Sequence, residues 1–315
     1  MLLREKADAG DAEAQFYVGR CLELGQGVGV NRAAAKGYFE LAADQGHATA
    51  LLYLASYFWE GKGPEGVNKQ RAVHYFQLAA DQGDKDALHN MGIFYAQGWE
   101  GKEQDHKKAA ECFRKAAAKD HAGALYNIGL CYYDATGVEQ DFGQALGFFK
   151  RAAELGVAGA IGMIGKMYLK GDGVDQDEVR GIEFLSRAAD MEDVPSIFNM
   201  GLCYEQGRGV EQNRNKAILY YNKAAQSGYP EALLNLGVIS EASEETRLAA
   251  VQYYFLAAQA GNLLARRNLG RVFLYGIGVE KNPQEAVKWL QKPALSGDIK
   301  ALALLHEASM LLNKY

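Results

Sequence analysis

The side chains best placed to do chemistry in this sequence form a row of amides. Asparagine stands at Asn90, Asn127, Asn199, Asn235 and Asn268, each two residues before a glycine, and three residues after each comes Ile93, Leu130, Leu202, Val238 or Arg271. An amide both donates and accepts, so such a row can pair with the backbone of an extended peptide while the aliphatic neighbours take its side chains. Other chemistries find weaker footing. Gly61 to Gly66 spells Gly-x-Gly-x-x-Gly, but a dinucleotide turn must follow a strand, and this segment follows a helical pattern. Asp172, Asp175, Asp177 and Glu183 approach the spacing of a calcium loop, except that Val174 occupies the third ligand place. The six histidines (His47, His74, His89, His106, His121 and His306) form no His-x-x-x-His pair and read as scattered surface residues. With no Gly-x-Ser-x-Gly elbow and no phosphate loop, the expectation is a chain with no cofactor, no metal and no catalytic centre.

Composition narrows the partner. A net charge of -5, from 34 basic and 39 acidic residues, argues against a nucleic-acid binder, which relies on neutralising phosphates. No apolar run approaches the roughly 18 residues of a membrane helix, and Arg4, Glu5, Lys6 and Asp8 stand where a signal peptide needs an apolar core. Direct membrane insertion is therefore not expected. With 49% hydrophobic residues the chain has enough to bury, and five prolines leave its helices uninterrupted. Thirty-six glycines are many for a helical protein, because each costs roughly 1 kcal/mol in a helix interior.

The glycines are periodic. Alanine pairs at Ala42-Ala43, Ala79-Ala80, Ala116-Ala117, Ala152-Ala153, Ala188-Ala189, Ala224-Ala225 and Ala257-Ala258 precede Gly46, Gly83, Asp120, Gly156, Glu192, Gly228 and Gly261 by three residues, and Gly297 closes the series. The steps are 37, 37, 36, 36, 36, 33 and 36 residues, which is the mark of a solenoid. In the same register Gly19, Ala55, Gly92, Gly129, Gly165, Gly201, Gly237 and Gly270 stand where two helices must approach closely. Loops such as Gly25-Gln-Gly27 and Gly207-Arg-Gly209 stop the first helix. Asn31, Asn68, Asp105, Asp141, Asp177, Asn213, Thr246 and Asn282 are then placed to cap a second helix, which carries a large apolar or aromatic pair such as Tyr38-Phe39 or Tyr220-Tyr221.

These marks together resemble the Sel1-like repeat. The resemblance implies an all-α, right-handed α/α solenoid, a superhelix related to tetratricopeptide repeats with a longer loop between the helices. About eight helix-loop-helix repeats span residues 11–46, 47–83, 84–120, 121–156, 157–192, 193–228, 229–261 and 262–297, within one domain over 1–315 closed by a C-terminal cap helix in 298–315. Met1 to Ala9 fit the second half of a repeat's second helix, from a longer solenoid or a half-unit N-terminal cap. Loops of the second and third repeats (Gly61 to Gly66 and Gly98 to Lys102) carry an extra residue, the seventh loses three, and Pro293 should kink the last second helix.

The resemblance also implies an adaptor or scaffold that binds a protein or peptide rather than an enzyme. In such a superhelix the first helix of each repeat lines the concave surface. Positions at -6, -2, +1 and +5 from its glycine share one face, so the asparagines and their neighbours form the candidate groove. The same asparagines also read as consensus residues of the repeat that bond neighbouring helices, and both readings stay open. Charge along this face runs from Glu13, Glu60, Asp86 and Asp134 to Lys166, Lys170, Arg267 and Arg271, with Glu231 as an exception, so an acidic partner is expected at the C-terminal end. Structural self-assembly through edge loops and end repeats is the alternative function, which leaves a homo-oligomer open. No repeat carries two of the four cysteines, so free thiols in a reducing, cytoplasmic compartment are expected.

Overall fold

The computed structural model describes residues 2–62, 65–99 and 101–312. Gly63 and Pro64 in the second loop, Glu100 in the third, Met1, and Asn313 to Tyr315 of the expected cap lie outside the described residues. The described chain is an all-α repeat solenoid without strands. Contacts divide it into two compact units at the end of the fourth repeat, Met1–Val157 and Ala158–Tyr315.

The first unit opens with α1 (Leu2–Asp8), and its repeats follow as α2 (Ala12–Leu24) with α3 (Arg32–Asp44), α4 (Ala48–Glu60) with α5 (Lys69–Asp81), α6 (Lys85–Gln97) with α7 (His106–Ala117), and α8 (Ala122–Asp134) with α9 (Phe142–Glu154). The second unit pairs α10 (Ala158–Lys170) with α11 (Glu178–Asp190), α12 (Val194–Gln206) with α13 (Arg214–Gln226), α14 (Pro230–Glu241) with α15 (Arg247–Gln259), and α16 (Leu263–Tyr275) with α17 (Pro283–Leu295), before α18 (Ile299–Leu312). The even-numbered helices up to α16 are the first helices of their repeats and are called A helices below. Their partners are B helices.

Short polar side chains start these helices because the first turn leaves backbone N–H groups without partners. Asn31, Asn68, Asp105, Asp141, Asp177, Asn213 and Asn282 each accept from the N–H three residues on, at 2.9 to 3.0 Å. Thr246 departs from its expected role. In the shortened seventh loop a 3-10 turn, Glu244–Thr246, runs directly into α15, and the Thr246 hydroxyl donates back to the Ser240 carbonyl at 2.6 Å. The turn after each B helix needs a left-handed residue. Gly46 and Gly83 supply it with φ of 79°, while Asp120 and Glu192 hold the same place at 53° and 63°. Pro293 also differs from expectation, because α17 continues through it to Leu295. It lies so near the C-terminal end that few hydrogen bonds depend on the segment beyond it.

Packing explains the central A-helix glycine. A Cβ on Gly129 would stand 2.7 Å from Phe149 Cε1, and one on Gly201 would stand 2.6 Å from Tyr221 Cε1. Both rings are fully buried, so the missing side chain is what lets helix A lie against helix B. Three residues further on, a second ring of helix A stacks on a ring of helix B, in Phe58–Tyr75, Tyr132–Phe148, Tyr168–Phe184 and Tyr204–Tyr220. A cation from the start of helix B covers several of these stacks, as Arg71 does over Phe58 at 4.2 Å and Arg180 over Tyr168 at 4.5 Å. At the two ends, Ala7 of α1 packs with Ala14 and Val18, and α18 places Ala301 and Ala308 against Leu274, Ala286 and Leu290.

Candidate functional site

Numbering from the A-helix glycine, or from Ala55 in the second repeat, positions +1, +4 and +5 of one A helix meet position -2 of the next. At three junctions these positions border an open hollow. Arg20, Glu23 and Leu24 of α2 face Tyr53 of α4 across about 390 Å³. Ile93, Ala96 and Gln97 of α6 face Asn127 and Leu130 of α8 across about 240 Å³. Val238, Glu241 and Ala242 of α14 face Asn268 and Arg271 of α16 across about 460 Å³. Thus Ile93, Asn127 and Leu130 come together in the first unit, and Val238, Asn268 and Arg271 in the second. Asn90, Lys166, Asn199, Leu202, Asn235 and Arg267 lie outside these three hollows and are half-buried. Val238 is 53% exposed, the most open of the predicted aliphatics.

The asparagines also have work inside the fold. Asn127 Nδ2 donates to His89 Nε2 across the α6/α8 junction at 3.1 Å. His89 stacks on His121 with ring centroids 4.3 Å apart. Burial, followed by the neighbouring His121 ring, lowers the His89 pKa to about 4, so at neutral pH its lone pair is available to the amide. Asn235 bonds the Tyr221 hydroxyl, which itself donates to Glu205 at 2.7 Å. These two asparagines therefore serve as inter-helix bonds as well as members of the face.

The two arginines at the C-terminal end already have carboxylate partners. Arg267 meets Asp298 at 2.9 Å, and Arg271 meets Glu241 at 2.5 Å, with the Tyr254 hydroxyl donating to the same carboxylate at 2.8 Å. Burial pushes the Glu241 pKa up, but the bonds from Arg271 and Tyr254 outweigh it and hold the group below its ordinary 4.5. Along the sequence these arginines read as charge on offer, because their partners lie 31 and 30 residues away.

Several participants escaped the sequence reading. Tyr53 occupies the asparagine position of the second repeat, where Arg20 lies 5.2 Å from its ring centre, and burial followed by Glu23 raises its pKa to about 12. His47 and His121 are A-helix caps whose Nδ1 atoms accept from Ala50 and Ala124 at 3.2 and 3.0 Å. The available signal was their place directly after the left-handed turn residue, where Asp11, Asp84, Asp193 and Asn262 also cap. Among the described residues no group of three His, Cys, Asp or Glu could hold a metal ion, and no helix is long and apolar enough to cross a membrane.

In comparison with known proteins, the Sel1 repeat model matches eight times, at residues 12–47, 48–84, 85–121, 122–157, 159–193, 194–229, 230–262 and 263–298. None of the curated proteins matches. Among solved structures, a Sel1 repeat protein from Oxalobacter formigenes is 26% identical with a TM-score of 0.70, covering 97% of this chain and 89% of that one. A protective antigen present in uropathogenic Escherichia coli strains, displaying an SLR fold, is 28% identical with a TM-score of 0.66, covering 99% and 67%. The APC/C hetero-tetramer Cut9-Hcn1 is 13% identical with a TM-score of 0.51 over 98% of this chain and 55% of that one, a likeness of fold alone.

Proposed function

The chain belongs to the Sel1 repeat family, whose members generally mediate protein–protein interactions, and on that premise we propose that it is a non-catalytic scaffold binding a protein or peptide along its A helices. The observation that carries this reading is the recurrence of one set of positions around a hollow at three junctions, each with a different lining. A single scaffold rule thus presents different side chains to successive stretches of a partner. In the first unit Ile93 and Leu130 supply apolar contacts and Asn90 and Asn127 amides; in the second Val238 supplies an apolar contact and Asn199, Asn235 and Asn268 amides. A nucleic-acid partner is not part of the proposal, given the net charge of -5.

The test is affinity capture from a source lysate with the wild type and with an Ile93→Ser, Leu130→Ser, Val238→Ser variant of unchanged helicity. Loss of the captured partner supports the A-helix face. An unchanged set of captured proteins refutes it. A second reading, assembly with further copies through end repeats, is favoured by Leu295, Ile299 and Leu302, all exposed on the last two helices. Light scattering decides it, since a defined oligomer is required. We also propose a reducing, cytoplasmic location, supported by four free thiols, of which Cys131 and Cys203 are raised to about 11 by burial. Cells lysed directly into denaturant with an alkylating reagent should give a chain alkylated at all four cysteines, and a disulfide found instead overturns this location.

A further inference from the structure

The three hollows differ in what closes them. At the α14/α16 junction the Glu241 carboxylate is satisfied by Arg271 and Tyr254 of the chain itself. Glu23 holds the same register in α2, but the counterparts of Arg271 and Tyr254 are Ser56 and Phe39; its carboxylate has the Tyr53 hydroxyl beside it, and its buried Oε2 lacks a well-formed hydrogen bond. Arg20 Nη1 stands 3.7 Å from it, beyond hydrogen-bond reach. A buried carboxylate oxygen short of donors is costly, so Glu23 Oε2 has room for a further donor from outside the chain.

The surrounding charge defines what brings it. Arg20, Arg32 and Lys62 line the hollow against the one carboxylate of Glu23, with Tyr53 and Leu24 completing the wall. Arg32 has no ion-pair partner among the described residues, and Lys62 meets Glu60 at 2.7 Å on the exposed rim. By contrast, Asp134 alone carries charge around the α6/α8 hollow, and Glu241 balances Arg271 at α14/α16. A lysine or arginine entering the α2/α4 hollow satisfies Glu23 but crowds three cations. A bare anion satisfies the cations and brings no further donor to Glu23 Oε2. An acidic peptide does both, because each of its carboxylates is accompanied by backbone N–H groups.

We propose that the α2/α4 hollow docks an acidic segment of the partner protein, with its carboxylates against Arg20 and Arg32 and a backbone N–H on Glu23 Oε2. This assignment rests on the A-helix scaffold reading and adds the partner's chemistry at one junction. Lys62 at the rim attracts the segment and Tyr53 packs along it.

The experiment uses the full chain and a fluorescein-labelled, end-capped hexaglutamate peptide, followed by anisotropy. An Arg32→Gln, Lys62→Gln variant is compared with a Lys150→Gln, Lys300→Gln control, which removes the same charge from exposed sites elsewhere. The wild type binds, the first variant weakens binding roughly tenfold through loss of charge-assisted contacts, and the control changes it less than about twofold. Equal weakening by both variants, or no binding to the wild type, overturns the assignment. So does complete displacement of the peptide by inorganic phosphate at matched ionic strength, which marks a bare-anion site. If peptide binding fails while partner capture still depends on Leu130 and Val238, the acidic segment is wrong and the scaffold reading stands.

Discussion

Replacing His89 by phenylalanine should change how the first unit responds to acid. Folded His89 is neutral because burial, and then the His121 ring, lower its pKa from 6.5 to about 4. The unfolded chain therefore takes up the proton first. The stability contributed by the neutral ring is complete above about pH 6.5 and is lost as pH falls towards 4. A displacement of this size corresponds to about 3 kcal/mol as an upper bound, and to about 2 kcal/mol once partial solvent access is allowed for. Phenylalanine suits the site, since Phe16 and Phe198 hold the same register and pack on His47 and Tyr229 with ring centroids 5.3 and 5.2 Å apart. At pH 7.5 the His89→Phe protein loses the Asn127 bond and should be less stable by about 1 kcal/mol. At pH 4.5 it should equal or exceed the wild type. Urea unfolding of the full chain reports this, with circular dichroism read beside the fluorescence of Trp59 and Trp99, which both lie in the first unit. A stability difference between the two proteins that stays constant from pH 7.5 to 4.5 would refute the neutral, buried histidine.

Three further outcomes follow from the packing. Arg271→Met leaves the Glu241 carboxylate with Tyr254 alone and should cost about 2 kcal/mol at pH 7. Because the folded Glu241 pKa lies below its ordinary 4.5, that cost should shrink as pH falls below this range and the carboxylate is protonated. An equal loss in urea midpoint at pH 7 and pH 3.5 contradicts the pairing. Gly129→Ala drives a Cβ into the Phe149 ring and should destabilise by about 1–2 kcal/mol despite its better helix propensity, and a raised urea midpoint counts against close helix approach. Ala135→Gly should stabilise by about 0.5–1 kcal/mol, since Ala135 ends α8 in the left-handed region at φ 57°. A lowered melting temperature in calorimetry would show that this conformation carries no strain.

The repeat architecture was legible because it is written in local and recurring terms. A glycine that must face a ring, a polar cap and a left-handed turn each act within a few residues, and recurrence makes each place stand out. Seven of the eight B-helix caps work as the sequence implied, and Thr246 fails where a shortened loop leaves no room for the usual entry. Helical periodicity also groups Asn127 with Leu130, and Asn268 with Arg271, on single helix faces. It does not say what stands opposite. Asn127 reaches His89 across 38 residues, Arg271 reaches Glu241 across 30, and Arg267 reaches Asp298 across 31. Arg271 reads as free charge along the chain and as a neutralised pair in space. The sequence by itself determined the solenoid and which residues share a helix face, because those depend on short-range geometry repeated eight times. Only the tertiary structure decided which of those side chains are already spent on one another, because a hydrogen bond depends on distance in space and each repeat brings a different neighbour to the same position.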